Sequence, residues 1–173
     1  APFFDGARIQ VLNWAMGGRS TRSFIDEGRW TRVLAQMKAG DIVIVQFGHN
    51  DQSEITMDRG TLISNGSEAE TVFSDRDGSR VSVGTFGTYV RQYVADARAR
   101  GATVILCTPV PRNWWLDDGR FNNVMAEHSA LVRGLGKELG VPVIDLNAPL
   151  SARYAGMGRR AVSSQWYTVG DNT

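Results

Sequence analysis

The sequence predicts an α/β protein, a three-layer sandwich in which a parallel, flavodoxin-like sheet lies between helices. Short, uninterrupted apolar runs alternate with segments whose apolar residues recur at helical spacing. Such runs are typical of strands covered on both faces, and strands separated by helices form parallel sheets through right-handed crossovers. Glycine-rich and polar stretches follow the apolar runs, at the sheet edge where α/β proteins place their sites.

Length and composition favour one ordinary globular domain over residues 1–173. The net charge of +1 gives no electrostatic basis for binding nucleic acid or an anionic membrane. No apolar run approaches the roughly 20 residues that span a bilayer. The single cysteine, Cys107, excludes an internal disulfide framework.

The first strand is expected at residues 7–13 and ends in the glycine-rich turn "AMGGRS". Ser20 or Thr21 can cap a helix that runs toward Glu27. A second helix is indicated by i, i+3, i+4, i+7 spacing and ends at Gly40. Its apolar positions are Trp30, Val33, Leu34 and Met37.

The second strand is expected at residues 41–47, which contain the β-branched run "IVIV". Residues 52–83 are polar and show no strong period, so we expect a long functional or mobile connection there.

The second half of the chain repeats the alternation. Amphipathic stripes predict helices over 86–97 and 124–139, each followed by a glycine. Apolar runs predict the third and fourth strands at 103–109 and 141–145, and the tail beyond them is expected to be mostly loop with one helical turn.

Two turns at the predicted active edge offer hydrogen-bond donors. Asn50 follows the second strand in "QFGHNDQ", where its amide can donate to developing negative charge or its oxygen can cap a turn. Capping is the commoner role for a lone loop asparagine. However, Gly48 permits a backbone turn barred to other residues, and Gly18 lies in the preceding glycine-rich turn. The Gly18 N–H and the Asn50 amide can therefore converge on one oxygen, as in an oxyanion hole.

These motifs carry a family resemblance. "NWAMGGRS" followed by "QFGHNDQ" resembles the second and third sequence blocks of the SGNH (GDSL-type) hydrolase superfamily. "GGRSTRSFIDEGRW" followed by "GDIVIVQFGHNDQ" is similar to the rhamnogalacturonan acetylesterase group, and the resemblance runs to the terminal "DNT". It implies the SGNH fold, with Gly18 and Asn50 as oxyanion donors and Asp171 as the aspartate of an Asp-x-x-His pair.

The resemblance also implies residues that the sequence lacks. The nucleophilic serine, in a Gly-Asp-Ser turn, would precede Ala1, and the histidine would follow Thr173 directly. We therefore expect an incomplete domain without the first central strand and the last helix, inactive on its own. In this fold the missing strand lies between those expected at 9–13 and 41–47, which predicts a gap or direct pairing there, and poor stability.

No other residues form a nucleophile–base set. His49 is expected to support its loop or line the site, and His128 to be a hydrogen-bonded histidine packed under its helix. Ser20 and Ser23 are expected to cap a helix. Cys107 is expected to be a small core residue.

By resemblance, the serine of the intact protein attacks an acetyl ester carbonyl, the histidine acts as general base and Asp171 orients it. Water then releases acetate. The resemblance implies no cofactor, and no His/Cys cluster has metal-ligand spacing. It further implies an acetylated poly- or oligosaccharide partner and a secreted or periplasmic location. The sequence does not indicate an oligomeric state.

Aromatic residues suggest how a sugar binds. Trp114 and Trp115, in the loop after "TPVP", and Trp166, near Asp171, can form a stacking platform. The adjacent pair can equally plug the edge of the sheet.

Charged residues are less specific. Arg19, Arg22 and Arg112 suit the carboxylates of a pectin-type polymer, although surface arginines are usually solvated or paired. A scatter of acidic residues is expected to be a solvated loop and not a calcium site. These are Asp51, Glu54, Asp58, Glu68, Glu70, Asp75 and Asp77.

Two alternatives remain open. One is a non-catalytic, doubly wound module that binds an anion, a nucleotide or a carbohydrate at "AMGGRS", before a possible helix N-terminus. That turn lacks the GxGxxG and GxxxxGK[ST] patterns. The other is a natural pseudo-enzyme that ends at Thr173, which the flanking reading frame would distinguish from a truncated esterase.

Overall fold

The computed structural model describes residues 5–165, which contain five strands and six helices. The strands are β1 (Ile42–Gln46), β2 (Ala69–Phe73), β3 (Arg80–Gly84), β4 (Thr103–Cys107) and β5 (Val143–Ile144). The helices are α1 (Thr21–Asp26), α2 (Arg29–Gln36), α3 (Phe86–Ala99), α4 (Ala126–Leu139), α5 (Asn147–Met157) and α6 (Arg159–Gln165).

The main sheet is parallel and has the strand order β1-β4-β5. Ile42 lies opposite Thr103, and Leu106 lies opposite Val143. Helices separate these strands along the chain and flank the sheet, which confirms the predicted α/β class. The second, third and fourth predicted strands and the four predicted helices are confirmed, with ends that shift by a few residues.

Four helices cover one face of the sheet. Val45 on β1 and Leu106 on β4 point into this core, where they meet Tyr93 of α3 and Leu135 of α4. Side chains alternate between the faces of a strand, so the neighbours of these residues lie on the other side. There Ile42 and Ile44 are 65% and 62% exposed.

The first predicted strand is wrong. Residues 9–13 form no strand, and β1 pairs on one edge only within residues 5–165. Ile9, Val11 and Leu12 are each at least half exposed. An apolar run becomes a strand only where a neighbour accepts its backbone hydrogen bonds, and none of the described strands does so. The expected alternatives were direct pairing of residues 9–13 with β1 or a gap beside β1. Direct pairing is wrong, and the structure has the gap.

The polar connection over 52–83 contains an antiparallel hairpin that the prediction missed. In it, β2 pairs with β3 from Ala69 opposite Gly84 to Phe73 opposite Arg80. The sequence signal was the turn "SDRDGS" between two short segments with β-branched residues. Gly78 in that turn has φ of +70°, a conformation that favours glycine.

The described part of the tail, up to residue 165, is mostly helical, so the expectation of a mostly irregular segment is wrong there. The Asp145 carboxylate accepts a hydrogen bond from the Ala148 N–H at 3.1 Å, in the first turn of α5. Tyr154 of α5 and Val162 of α6 are buried. These helices were missed because each carries only one or two buried apolar positions, too few for a visible stripe.

Candidate active site

The candidate site lies at the carboxyl ends of β1 and β4. Three segments meet there: residues 48–51 after β1, residues 108–124 after β4 and residues 17–20 before α1. The segments after β1 and β4 lie at strand ends as predicted, whereas residues 17–20 follow a segment that forms no strand.

Asn50 joins two of these segments. Its Nδ2 donates a hydrogen bond to the carbonyl oxygen of Arg19 at 3.1 Å. Arg19 directly follows Gly18, which is exposed and has φ of +79°. The two turns are therefore in contact, while the convergence of the Gly18 N–H and the Asn50 amide on one oxyanion remains a prediction.

Gly48 fits its position for two reasons. Its φ of +136° is one that other residues rarely adopt. A Cβ there would lie 3.2 Å from Pro109 Cγ, 3.3 Å from Met125 Cε and 3.4 Å from His128 Cβ. A glycine therefore lets the turn pack closely against the loop after β4 and the start of α4.

Asp51 is fully buried, so its assignment to a solvated loop is wrong. Its Oδ1 accepts hydrogen bonds from the Thr21 N–H at 3.0 Å and the Thr21 hydroxyl at 2.5 Å. Its Oδ2 accepts one from the Gly48 N–H at 3.1 Å. Burial raises the pKa of this carboxyl from 3.8 to about 6, and the hydrogen bonds from Thr21 and Gly48 oppose the rise. Its position three residues after Gly48, within reach of that N–H, was the available sequence signal.

Thr21 is held from a second direction. Its carbonyl oxygen accepts a hydrogen bond from the buried Tyr93 hydroxyl at 2.8 Å. Burial and the nearby Asp51 carboxylate raise the pKa of Tyr93. Ser20 caps α1 by accepting from the Ser23 N–H at 3.1 Å, and Ser23 bonds back to the Ser20 N–H, which confirms the predicted capping.

His49 supports its loop. Its Nε2 lies 2.8 Å from the carbonyl oxygen of Val110. A carbonyl can only accept, so Nε2 carries the proton. Arg112 donates to the His49 carbonyl oxygen at 2.9 Å. Burial, and secondarily the Arg112 charge, lower the pKa of His49, which favours the neutral ring near pH 7.

His128 is buried as predicted, but the expected hydrogen bond is wrong. Neither ring nitrogen has a hydrogen-bond partner among the residues described. The ring packs edge-on against Phe86 with centroids 5.2 Å apart. Burial lowers the pKa of His128 from 6.5 to about 4, and the proximity of His49 adds to the effect.

An open cleft of about 350 Å³ adjoins His49. Its lining residues are His49, Gln52, Ser53, Arg112, Trp114 and Val124. Trp114 is 51% exposed and offers its ring to this cleft.

The neighbouring tryptophan faces different surroundings. The Trp115 ring packs against Phe121, with centroids 5.3 Å apart, and Phe121 packs against Tyr154. The Trp115 Nε1 donates to Asn113 at 2.6 Å. These are the contacts expected of a plug, so they favour that interpretation for Trp115, whereas sugar stacking by Trp114 remains a prediction.

Two of the predicted arginines, Arg22 and Arg19, lie in different surroundings. Arg22 is buried and donates to the carbonyl oxygens of residues 55, 57 and 60, so it holds a loop and cannot meet a polysaccharide. Arg19 pairs with Glu27 at 3.0 Å and donates to the Gly17 carbonyl oxygen. It borders a second cleft of about 370 Å³ that contains Gly18 and Arg59.

Trp166 and Asp171 lie outside the described residues. Cys107 is buried, and burial raises the pKa of its thiol, as expected of a small core residue. Within residues 5–165, no three His, Cys, Asp or Glu side chains group closely enough to hold a metal ion. No helix in this part of the chain has the length and apolarity to cross a membrane.

Known proteins resemble this chain over most of its length. Its sequence is 29% identical over 160 residues to a rhamnogalacturonan acetylesterase of Emericella nidulans, covering 92% of this chain and 65% of that one. It is 33% identical over 150 residues to the rhamnogalacturonan acetylesterase RhgT of Bacillus subtilis, covering 87% and 55%. The chain thus spans between about half and two thirds of the length of these relatives.

The fold comparison agrees. The crystal structure of the Bacillus subtilis protein YxiM superposes with a TM-score of 0.67 at 24% identity, covering 94% of this chain and 40% of that one. The GDSL-like lipase/acylhydrolase family matches residues 5–161, which include both turns joined by Asn50. The predicted resemblance is confirmed: the chain belongs to the GDSL-like lipase/acylhydrolase family.

Proposed function

We propose that the protein containing this chain hydrolyses O-acetyl esters on a pectin-type polysaccharide of the rhamnogalacturonan class. The observation that carries the proposal is the hydrogen bond from Asn50 Nδ2 to the Arg19 carbonyl oxygen, which sets an amide donor beside the Gly18 turn. Relatives named rhamnogalacturonan acetylesterase, at 29% and 33% identity, support the substrate class.

Gly18 and Asn50 are proposed as oxyanion donors. A primary amide has two N–H groups, and Asn50 uses one of them on Arg19. The other can bind the oxygen that gains negative charge when a nucleophile attacks the acetyl carbonyl. The Gly18 N–H is the proposed second donor. Each such donor contributes about 10²–10³ to the rate.

The nucleophile and base are proposed to be a serine and a histidine outside this sequence, with Asp171 orienting the histidine. The serine oxygen attacks the acetyl carbon while the histidine takes its proton and passes it to the departing sugar oxygen. Water, activated by the same histidine, then cleaves the acyl-enzyme and releases acetate. Neither described histidine suits the role of base, because His49 is bonded to Val110 and His128 is buried.

The cleft beside His49 is proposed to hold the sugar chain. The exposed Trp114 ring can stack on a sugar face, and the Arg112 charge can attract a uronate carboxylate. The second cleft, with Arg19 at its edge, can accept the polymer on the other side of Gly18. A polymeric substrate of this kind also favours a secreted or periplasmic location.

Two hydrogen bonds argue against the anion-binding module. An anion at the "AMGGRS" turn would bind the free N–H groups at the start of α1. The Thr21 N–H is already bonded to Asp51, and the Ser23 N–H to Ser20. The protein's own side chains therefore occupy two of the donors that such a ligand would use at the start of α1.

The test is acetate release from acetylated rhamnogalacturonan by the protein expressed from the complete reading frame. Asn50→Ala should lower kcat by about 10²–10³, and Asp171→Asn should also lower it. Asn65→Ala is the matched control, because the Asn65 amide also donates to a backbone carbonyl, that of Leu131 at 3.0 Å, away from the site. Full kcat in Asn50→Ala would overturn the proposal.

A further inference from the structure

Asn50 lies between two anchored neighbours. On one side, the His49 ring is bonded to the Val110 carbonyl oxygen in the loop after β4. On the other side, the Asp51 carboxylate is bonded to Thr21 at the start of α1. The backbone that carries the Asn50 amide is thus fixed from both directions.

Burial of the Asp51 carboxylate is unfavourable in free energy. Burying an ionised carboxylate is strongly unfavourable unless its oxygens are hydrogen-bonded. No cation forms an ion pair with the Asp51 carboxylate in the part of the chain that the structure describes, and the other residues that donate hydrogen bonds to it are Thr21 and Gly48. Both residues lie in the turns that flank the proposed oxyanion site. The carboxylate therefore closes the 48–51 turn on itself and docks it against the α1 turn.

The docking is rigid because Thr21 is itself tied to the core. Tyr93 of α3 donates to the Thr21 carbonyl oxygen, and its ring stacks on Phe47 with centroids 5.3 Å apart. It also meets Trp30 edge-on at 4.7 Å. A line of contacts thus runs from the aromatic core through Thr21 to Asp51, and from there to the backbone of Asn50.

We propose that Asp51 is a positioning residue, which holds the 48–51 turn against Thr21 so that the Asn50 amide reaches the Arg19 carbonyl oxygen and the oxyanion beside it. This inference rests on the proposed function, since it assigns Asp51 a role in the same reaction. Asp51 touches no reacting atom and acts only through Asn50.

The inference is tested in the protein from the complete reading frame by a double-mutant cycle between Asp51→Asn and Asn50→Ala. Asp51→Asn keeps the size of the side chain but turns one acceptor into a donor that opposes Thr21 or Gly48. Displacing a catalytic group by about 1 Å can cost about 100-fold, so we expect kcat to fall about 10- to 100-fold with KM nearly unchanged. In the Asn50→Ala background the same change should lower kcat less than about twofold, because the amide that Asp51 positions is gone.

Two further variants separate positioning from stability. Thr21→Val removes the hydroxyl that donates to Asp51 and should lower kcat in the same way, whereas Thr21→Ser should retain it. Thr85→Val removes a buried hydroxyl that caps α3, away from the site, and should lower the melting temperature without lowering kcat.

The outcomes are distinguishable. If Asn50→Ala lowers kcat while Asp51→Asn leaves it unchanged, or lowers it equally in both backgrounds, the positioning role is overturned and the proposed function stands. If Asn50→Ala itself leaves kcat unchanged, both are overturned.

Discussion

The Asn50 side chain donates to the Arg19 carbonyl oxygen at 3.1 Å, across 31 positions of sequence. This bond joins the turn after β1 to the turn before α1. It also explains why an amide stands between a histidine and a carboxylate in "GHND". His49 and Asp51 each bind backbone groups of a different segment, and the residue between them is presented at the junction.

Gly48→Ala tests how tightly this turn is packed. The new Cβ would meet three atoms at 3.2–3.4 Å on a backbone with φ of +136°. We expect the free energy of unfolding to fall by about 1–3 kcal/mol. Gly156→Ala is the matched control, because a Cβ at this helical position meets nothing within 4 Å. It should be neutral or stabilising by up to about 1 kcal/mol in the same urea titration. Equal effects of the two changes would contradict the packing argument.

Local pattern explains which parts of the fold the sequence predicted. The strands β1, β4 and β5 and the helices α1 to α4 carry their own signals in apolar runs, spacing and caps. Residues 9–13, with three apolar side chains of five, also carry a strand signal, yet they form no strand, because pairing depends on a neighbour and not on the local sequence alone.

The candidate site also contains residues that the sequence indicated and residues that it did not. Gly18 and Asn50 could be proposed from the sequence because a glycine-rich turn and an asparagine after an apolar run are recognisable, and the structure places their turns in contact. Asp51 was missed because its role depends on burial, and the long-range contact with Thr21 leaves no pattern in the sequence. Trp114 and Trp115 differ for a similar reason: only the position of Phe121 determines which ring is covered.

The two adjacent tryptophans give a second prediction. Trp114→Ala should raise KM for the polysaccharide and leave hydrolysis of a small acetyl ester unchanged, because it removes only a wall of the cleft. Its melting temperature should match that of the wild type.

Trp115→Ala should behave in the opposite way. It removes the contact with Phe121 and should lower the free energy of unfolding by about 1–3 kcal/mol, less than for a fully buried tryptophan. Steady-state kinetics on both substrates and thermal melts of both variants check this pair. A stable Trp115→Ala protein with a raised KM would show that Trp115 also contacts substrate.

Arg22→Lys gives a third prediction. One Arg22 nitrogen lies 3.2–3.3 Å from three backbone carbonyl oxygens of the 55–60 loop. A lysine cannot reproduce the guanidinium geometry, so one buried and two part-buried carbonyl oxygens lose their donor, and we expect the free energy of unfolding to fall by about 1–3 kcal/mol. Arg76→Lys is the control, because the Arg76 side chain is 72% accessible. This change should alter the free energy of unfolding by less than about 0.5 kcal/mol. Urea unfolding of both variants decides the matter, and an unaltered Arg22→Lys midpoint would contradict it.

Asp51 should make stability depend on pH. Its pKa is about 6 in the folded protein against 3.8 ordinarily, so the folded state binds the extra proton between these values. Folding is then favoured at low pH, and about 3 kcal/mol is lost as pH rises from about 4 to 6. The stability of the wild type minus that of Asp51→Asn should therefore be larger at pH 4.5 than at pH 7.5. A difference that is constant with pH would show that the Asp51 pKa is not raised.

His128 should contribute a pH dependence of the opposite sign. Its pKa falls from 6.5 to about 4 on folding, so the unfolded state binds the extra proton between these values. The contribution of the neutral His128 ring to the free energy of unfolding is therefore complete above about pH 6.5. It decreases by about 3 kcal/mol as the pH falls to 4. Between pH 4 and 6 the opposite pH dependences of Asp51 and His128 largely cancel. The free energy of unfolding of the wild type should therefore vary little with pH in this range. His128→Leu should reveal the Asp51 slope, gaining stability relative to the wild type as pH falls from 7.5 to 4.5.

The same variant tests the unpartnered ring of His128. Leucine removes two buried nitrogens that lack partners among residues 5–165, at the cost of the contact with Phe86. We therefore expect stability within about 1 kcal/mol of the wild type at pH 7.5. Met125→Leu, a volume-conserving change at a buried neighbour of Gly48, is the control, and its effect should not vary with pH. If His128→Leu and Met125→Leu showed the same pH profile in urea unfolding, the His128 nitrogens would have to be hydrated or bonded in solution.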